Sequence, residues 1–197
     1  MRDPMLAKDR HFYTHAEYFA LEEQAQVKSE YRAGAIVAMA GASLNHNRIV
    51  KNIAFAIDQA IGGKACETFL GDVRLWVAKR NLFTYPDVMI VCGQPELVEG
   101  RRDTIVNPTV LIEVLSESTA AYDRGDKFQA YWSLESLAEY VLVDQYRLRV
   151  ECFRRLSEKE WRLLALTKTE DLLVLDSIEV AIPLGQVYQN VVWEAQS

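Results

Sequence analysis

The segment TVLIEVLS, residues 109–116, constrains the fold more than any other part of the chain. Apart from Glu113 its interior is a continuous apolar run, which is typical of a strand covered on both faces in the middle of a sheet. Side chains alternate along a strand, so Glu113 shares a face with Leu111 and Leu115. A lone ionised carboxylate is costly to bury there. Glu113 must therefore be paired, protonated, bound to a metal, or placed where the sheet opens on water.

The remaining pattern predicts an α/β fold. Helical spacing and N-cap residues predict helices at 14–25 (opened by Thr14), 43–63 (opened by Ser43), 124–137 and 185–193. Apolar runs predict strands at 31–40 (with a turn at Ala33-Gly34), 71–78, 85–92, 109–116, 140–144, 147–154, 161–167 and 179–184. We expect strands 71–78 and 85–92 to form a hairpin, and the strands between 140 and 167 an antiparallel meander. The predicted architecture is a single domain over residues 1–197, a central mixed sheet flanked by helices, with a loosely ordered segment at 1–13.

Composition and charge restrict the possible functions. The chain has 197 residues and a formal net charge of −6, so it cannot hold nucleic acid through a bulk positive field. A polyanion would need metal ions or local basic clusters, and each candidate cluster is also explained as a solvated turn or strand edge. The candidates are Lys79-Arg80, Arg101-Arg102, Arg147/Arg149 and Arg154-Arg155. No run approaches the roughly 20 apolar residues of a membrane span, and the N-terminus lacks a secretory apolar run, which favours the cytoplasm.

The three cysteines, Cys66, Cys92 and Cys152, are odd in number and far apart, and they form no CxxC pair. This spacing argues against a disulfide framework and against a zinc knuckle. We therefore expect all three to be small hydrophobic residues inside strands, where free cysteine is often buried.

A second acid, Asp87, stands at the beginning of the predicted strand YPDVMIVC. Pro86 cannot donate to a sheet ladder, so the strand begins near it and Asp87 is its first residue able to point inward. Two acids on neighbouring strands could converge on a hard cation, which prefers oxygen ligands. The alternatives remain that Asp87 caps the strand and that Glu113 is half of a salt bridge.

Lys127, on the predicted helix 124–137, is a candidate partner for these two acids. Helical spacing places it with Ala130, Tyr131 and Leu134 on the side that should face the sheet. A cation near a helix N-terminus opposes the macrodipole, so something negative should face it. The two carboxylates are the obvious partners. The alternative is a lysine whose stem packs while its ammonium group reaches solvent.

Five segments together resemble the Uma-two endonuclease family, a branch of the restriction-endonuclease-like PD-(D/E)XK superfamily. These segments are KSEYRAGAIVAMAGASLNHNRIV, GDVRL, YPDVMIVC, PTVLIEVLSESTAAYDRGDKFQAYW and LAEYVLVDQ. The resemblance runs from about Thr14 to the C-terminus. Its composite pattern EVLSxSTxxYDRxxKxxxY is highly specific, whereas the dipeptide PD alone is not. The resemblance implies a restriction-endonuclease-like fold.

The resemblance also implies a site. In the superfamily two acids hold one or two Mg²⁺ ions, for which Mn²⁺ substitutes, and a lysine orients or activates the attacking water. Asp87 matches the first acid and Glu113 the second, and the backbone carbonyl of Val114 would complete the metal ligands. The superfamily lysine falls at Leu115, which departs from the pattern. Lys127, 127 − 113 = 14 positions after Glu113, is the expected substitute.

Four further residues are weaker candidates. Glu30 resembles an additional acid of the superfamily, and would bind metal or water unless it is a surface partner of Lys28 or Arg32. His46 lies on the apolar stripe of its helix, as either a half-buried histidine or a site residue that contacts phosphate. The last two are Asp72, which could start a strand near the site, and Asp123, which could cap a helix.

The resemblance and the site residues predict Mg²⁺-dependent hydrolysis of phosphodiester bonds, with DNA as the expected substrate. The alternative is an inactive binding or scaffolding module that keeps a nuclease-like fold, which Leu115 and the negative charge both favour. No membrane partner is expected. A homodimer is expected by analogy with restriction-type folds, with strand 147–154 as an exposed edge.

Overall fold

The computed structural model of the protein describes residues 11–193. The helices are α1 (His15–Glu22), α2 (Leu44–Ala60), α3 (Ala120–Arg124), α4 (Asp126–Trp132) and α5 (Leu184–Val187). The strands are β1 (Ser29–Arg32), β2 (Ala35–Ala38), β3 (Cys66–Leu70), β4 (Arg74–Val77), β5 (Leu82–Thr84), β6 (Val88–Cys92), β7 (Thr104–Ile105), β8 (Val110–Leu115), β9 (Glu139–Asp144), β10 (Val150–Ser157), β11 (Glu160–Leu166), β12 (Leu172–Leu175) and β13 (Val180–Pro183). The predicted loose segment 1–13 lies, except for its last three residues, outside the described part. Within that part, none of the helices combines the length and apolar character needed to cross a bilayer.

Strand β8 occupies the middle of the protein, as its apolar run predicted. It lies in a six-stranded sheet of order β11-β10-β9-β8-β6-β3, parallel to β9 and antiparallel to β6. All six of its residues are buried. A strand with neighbours on both sides and layers on both faces needs apolar side chains in both directions, which explains the run. The predicted mixed sheet flanked by helices is confirmed.

The two faces of this sheet are covered by different layers. Ile112 and Val114 of β8 point to the first face, which packs against α2, α5 and the β12–β13 hairpin. Leu111 and Leu115 point to the second face, where α4 and strands of a five-stranded sheet, β2-β1-β5-β4-β7, contribute the apolar partners. Glu113 belongs to the second face, and so lies between the six-stranded sheet and α4.

The predicted hairpin of strands 71–78 and 85–92 is wrong. Strand β4 pairs instead with β5, and β6 belongs to the other sheet, between β3 and β8. The chain passes from one sheet to the other at 85–87, where Pro86 has no N–H to donate to a ladder. Asp87 therefore lies at the crossing point, directly before β6.

The predicted helix 124–137 is also wrong in its bounds. Two short helices, α3 and α4, replace it and meet at Gly125, which has φ −111° and ψ −101°. A Cβ atom at Gly125 would approach the Ala121 carbonyl oxygen to 3.1 Å, so the bend suits glycine. Helix α3 begins before the predicted start at residue 124, and it places Asp123 close to Lys127.

Among the other predicted elements, those before β3 and the β9–β11 meander are confirmed, whereas the C-terminal elements differ from the prediction. Thr14 and Ser43 cap α1 and α2 as predicted, and the turn at Ala33-Gly34 joins β1 to β2. The predicted helix 185–193 is reduced to the single turn α5, and β12, which pairs with β13, was not predicted. The β9–β10–β11 meander is confirmed. Strand 147–154 is not a sheet edge, because β10 pairs on both sides.

The prediction that all three cysteines are free is wrong for two of them. Cys66 in β3 lies directly opposite Cys92 in β6, with the Cα atoms 4.0 Å apart, and the two form a disulfide. The pair could not be predicted from its sequence separation of 26 positions, because the register of β3 against β6 brings the two cysteines together. Cys152 is a free, buried thiol in β10, as expected, and burial raises its pKa to about 12.

Thiol counting tests this disulfide. Protein purified without reductant and then denatured should titrate one thiol per chain, that of Cys152, since Cys66 and Cys92 are bonded to each other. Prior reduction should raise the count to three and lower the free energy of unfolding by roughly 3 kcal/mol, as expected for a cross-link that closes a loop of this size. A count of three without reduction would contradict the pairing.

Candidate active site

A buried lysine lies at the centre of the candidate site. The side chain of Lys127 is 6% exposed, and its Nζ is 2.8 Å from Glu113 Oε1, 3.4 Å from Asp123 Oδ1 and 3.6 Å from Glu30 Oε1. Lys127 therefore faces the sheet, as its helical spacing predicted, and its ammonium group does not reach solvent. One cation is shared by three buried carboxylates, so each of these carboxylates has a positive partner although their charges together exceed that of the lysine.

Each of these groups comes from a different element. Glu113 is on the central strand β8, Glu30 on β1 of the five-stranded sheet, Asp123 on α3 and Lys127 on α4. The sequence suggested that Asp123 caps a helix, and that prediction is wrong. Asp123 lies within α3 and is 3% exposed, four positions before Lys127. The cluster thus ties the two larger sheets and the broken helix together.

Burial and charge oppose each other at Glu113. Burial, together with the negative charges of Asp87 and Asp123, raises the pKa of the Glu113 carboxyl to about 8, despite the stabilising charge of Lys127. Burial alone would lower the pKa of Lys127, but Glu113, Glu30 and Asp123 raise it well above its usual value, so the ammonium group stays charged. The site holds more acid than its one lysine neutralises.

Glu30 is buried, not a surface partner. Its Oε1 accepts a hydrogen bond from the Thr84 hydroxyl, and its Oε2 accepts one from Arg32 Nε at 2.7 Å. Burial would raise the pKa of Glu30, but Lys127, Thr84 and Arg32 outweigh it and hold that pKa below its ordinary value. Both oxygens are therefore engaged by the protein.

Sequence reasoning missed Tyr131 as a site residue. Its hydroxyl donates a 2.7 Å hydrogen bond to Glu113 Oε1, the same oxygen that Lys127 contacts. The helical spacing places Tyr131 on the sheet-facing side of the helix and indicates only a packing role. Its spacing of four from Lys127 was the available signal, since residues at i and i+4 share a helix face.

Asp87 and His46 form the more open part of the site. Asp87 Oδ2 accepts a 2.7 Å hydrogen bond from the backbone N–H of Val114, the residue after Glu113. His46 Nε2, on the first turn of α2, lies 3.2 Å from the same oxygen. The side chains of His46 and Asp87 are 17% and 20% exposed, so solvent reaches this side of the cluster. The structure thus brings Asp87, Glu113 and His46 together.

The donor set fits a hard divalent cation. Within residues 11–193, the protein contacts to Asp87 fall on Oδ2 and those to Glu113 on Oε1, which leaves Asp87 Oδ1 and Glu113 Oε2 without a donor. The N–H and C=O of one strand residue point to the same side, so the Val114 carbonyl faces the Asp87 side of β8. No set of three His, Cys, Asp or Glu side chains is grouped for metal binding in the described residues. Two carboxylates and one main-chain carbonyl are therefore the available oxygen ligands.

Two sequence expectations concern positions outside this cluster. Leu115 is 2% exposed and packs among apolar side chains of the second face, so the strand position of the superfamily lysine carries no cation. Asp72 follows β3, is exposed, and pairs with Lys28, apart from the buried acids. Lys127 is thus the lysine that the structure places against Glu113.

Several residues of the basic clusters are engaged by protein groups. Arg101, Arg147, Arg149 and Arg154 pair with carboxylates, and Arg155 donates to backbone carbonyls. Lys79 pairs with Glu135 on the surface. These contacts occupy the cations in structural roles, which agrees with the reading of the clusters as turn and strand-edge residues.

Fold and site together define the class of protein. The central mixed sheet with its flanking helices is a restriction-endonuclease-like α/β fold. A crystal structure described as that of "a putative nuclease belonging to DUF820" from Anabaena variabilis ATCC 29413 superposes with a TM-score of 0.75, covering 91% of this chain and 99% of that one. At 16% identity, this similarity establishes the fold.

The sequence comparisons identify the family. The model of the Uma2 family, described as "Putative restriction endonuclease", matches residues 15–185, so the chain belongs to the Uma2 family and the resemblance seen in its motifs is confirmed. Two proteins of Synechocystis sp. (strain ATCC 27184 / PCC 6803 / Kazusa) are similar. Uncharacterized protein sll1609 is 40% identical over 78% of this chain and 86% of its own length. Uncharacterized protein slr1290 is 31% identical over 88% and 90%.

The raised pKa of Glu113 predicts a specific dependence of stability on pH. Between the ordinary value of 4.5 and about 8, the folded metal-free protein holds a proton that the unfolded chain releases. The contribution of Glu113 to the free energy of unfolding is therefore complete below pH 4.5 and is lost as pH rises through this window.

Thermal melts in chelator measure this contribution. Glu113→Gln cannot titrate, so its melting temperature relative to wild type should rise steadily from pH 5 to pH 8. Glu170→Gln, a change at an exposed glutamate, is the control and should leave the pH profile unchanged. A constant difference between Glu113→Gln and wild type would show that Glu113 is already ionised at pH 5.

Proposed function

We propose that this protein is a Mg²⁺-dependent endonuclease that hydrolyses phosphodiester bonds in DNA. One observation carries the proposal: Asp87 and Glu113 each have one oxygen held by protein donors and one oxygen without a donor in the described residues. Two such carboxylates beside a buried lysine are what a nuclease metal site requires. Membership of the Uma2 family supports the nuclease assignment.

In this proposal Asp87, Glu113 and the Val114 carbonyl hold the ion. A bound Mg²⁺ would act as a Lewis acid on the phosphoryl oxygen and lower the pKa of a bound water. The excess acid of the cluster favours such an ion, because a second cation would offset the burial and the neighbouring negative charges that together raise the pKa of Glu113. Mn²⁺ should substitute, since it accepts the same oxygen ligands.

The other side chains have separate roles. Lys127 holds the attacking water and offsets negative charge that develops in the transition state. Glu30, whose oxygens are both engaged, positions Lys127 and does not bind the ion. His46, half-buried beside Asp87, fixes that carboxylate and is close enough to the open side to contact a substrate phosphate.

DNA is the proposed substrate because the model of the Uma2 family is described as a restriction endonuclease. The net charge of −6 gives no general attraction for a polyanion. Binding would rest on the metal ion and on partly exposed cations beside the acidic cluster, such as Arg32, which is one-third exposed, pairs with Glu30 and stacks 3.7 Å from the centre of the Tyr122 ring. We therefore expect affinity for DNA to be weak without the divalent ion.

A second candidate is an inactive binding or scaffolding module with the same fold. The observation that favours it is the self-contained contact between Lys127, Tyr131 and Glu113 Oε1, which a structural ion pair would also make. On that reading neither the wild type nor the double variant Glu113→Leu with Lys127→Leu binds Mn²⁺, and the double change destabilises the fold because the buried Glu30 and Asp123 lose their contact with Lys127. The nuclease reading predicts that the same double change abolishes metal binding.

Metal binding is the first test. Millimolar Mn²⁺ should raise the melting temperature of the wild type, since a ligand that binds only the folded state stabilises it. Asp87→Asn should abolish this shift, whereas Asp72→Asn, a matched change at an exposed aspartate, should keep it. Equal Mn²⁺ binding by wild type and Asp87→Asn would remove Asp87 from the site.

Cleavage is the second test, with Lys127→Met as the informative variant. Loss of the ammonium group should abolish Mg²⁺- or Mn²⁺-dependent cleavage of DNA while Mn²⁺ still binds to Asp87 and Glu113. Stability in chelator should fall by about 3–5 kcal/mol, because the buried carboxylates lose their cation. Lys51→Met, at an exposed position of α2, should cleave like the wild type. If neither ion supports cleavage of any single- or double-stranded nucleic acid by wild type, the protein is not a nuclease.

A further inference from the structure

Helix α2, which carries His46, begins at a sheet edge where two strands end together. Strands β8 and β9 are parallel, and Leu115 lies opposite Asp144, so both strands end at the same edge of the six-stranded sheet. Gln145 is the first residue after β9 and is 3% exposed. A buried amide side chain needs partners for both its donor and its acceptor. Gln145 therefore has to find two hydrogen bonds at this edge.

The two hydrogen bonds of Gln145 lead to two different elements. Its Nε2 donates to the carbonyl of Leu115 at 2.7 Å, and its Oε1 accepts a hydrogen bond from the hydroxyl of Ser43. Ser43 is the N-cap of α2, and its Oγ accepts a 3.1 Å hydrogen bond from the backbone N–H of His46. The Gln145 amide thus links the end of the central strand to the first turn of α2.

Neighbouring residues of β8 hold the two partners of the contact between His46 and Asp87. Asp87 is bound to the backbone N–H of Val114. The start of the helix that carries His46 is linked through Gln145 to the carbonyl of Leu115. Backbone groups alternate in direction along a strand, so these two attachments are on opposite sides of β8. The first turn of α2 therefore spans the end of this strand, from β9 to the beginning of β6.

We propose that Gln145 is a positioning residue of the candidate active site, which holds the first turn of α2 so that His46 stays against Asp87. The inference rests on the proposed function, in which the other oxygen of Asp87 binds the divalent ion. A hydrogen bond to the oxygen that does not bind the metal fixes the orientation of a ligating carboxylate. Gln145 acts on the ion through His46 and Asp87, without contacting it.

Other hydrogen bonds of α2 lead away from β8. Asn45, in the same first turn, exchanges hydrogen bonds with the backbone of Val192 near the C-terminus. Asn52, in the middle of the helix and 7% exposed, donates to two backbone carbonyls of the segment that follows α5 or ends it. These contacts hold the helix to the C-terminal segment, whereas Gln145 holds its first turn to the strand that carries Glu113.

Nuclear magnetic resonance of the metal-free protein tests the positioning itself. Gln145→Met keeps the approximate size of the side chain and removes both hydrogen bonds, so it should displace the imidazole resonances of His46. These resonances are assigned by their loss in His46→Ala. Asn52→Leu, which removes a buried amide from the middle of the same helix, is the matched control and should leave them in place. If Gln145→Met leaves the His46 resonances unchanged, the proposal is overturned.

Ser43→Gly breaks the same link from the other end, at an exposed position. Glycine is also favoured as an N-cap, so the start of the helix is kept while the contact with Gln145 is lost. The His46 resonances should shift, and adding Gln145→Met should shift them little further. Ser43→Thr keeps the hydroxyl and should resemble the wild type. A full additional shift in the double variant would contradict a link through Ser43.

Manganese affinity tests the consequence for the site. Loss of a group that orients a metal ligand typically weakens metal binding roughly 10- to 100-fold, so Gln145→Met and His46→Ala should each raise the Kd for Mn²⁺ about tenfold. Because Gln145 acts through His46, the double variant should bind about as weakly as His46→Ala alone. Asn52→Leu should bind like the wild type.

The possible failures are distinct. Losses of Mn²⁺ affinity that add in the double variant would contradict action through His46. A wild type that binds no Mn²⁺ would overturn the proposed function, and with it the effect of Gln145 on an ion. Unchanged His46 resonances in Gln145→Met would overturn the positioning role even in a protein that binds Mn²⁺. Melting temperatures in chelator establish that each variant is folded.

Discussion

The buried charge of Lys127 is the constraint on which the rest of the structure depends. Its ammonium group lies within 3.6 Å of carboxylates from β8, β1 and α3. None of these charges could be buried singly at an acceptable cost. The four residues therefore stabilise one another. Their contacts fix the relative positions of the two larger sheets and of α3 and α4, next to the place where the cluster opens to solvent beside Asp87.

The apolar pattern predicted most strands of the six-stranded sheet, because a strand buried on both faces needs a continuous run of apolar residues. The run around Glu113 placed β8 correctly in the centre, and the meander of β9 to β11 followed from similar runs. The pairing of β4 could not be predicted from adjacent runs. Pro86 sends the chain to a different sheet, and only tertiary packing decides which neighbour a strand then finds.

The candidate site was predictable in its charged members and not in its contacts. Helical spacing pointed Lys127 at Glu113 and placed His46 on an inward stripe. Asp123 was misread as a cap, since a helix begins before it that the sequence pattern did not indicate. The Cys66–Cys92 disulfide was missed for a related reason, because it depends on the register of β3 against β6. Local patterns record burial, whereas contacts between distant segments depend on the assembled fold.

We propose that Asp87 and Glu113 are ligands of a single divalent ion. Anomalous diffraction from a crystal soaked in Mn²⁺ tests it most directly. We expect a peak between the two carboxylates, within reach of the Val114 carbonyl, and loss of that peak in an Asp87→Asn crystal. A fully soaked crystal with no peak there, and with the contact between Lys127 and Glu113 unchanged, would contradict it and favour a structural ion pair.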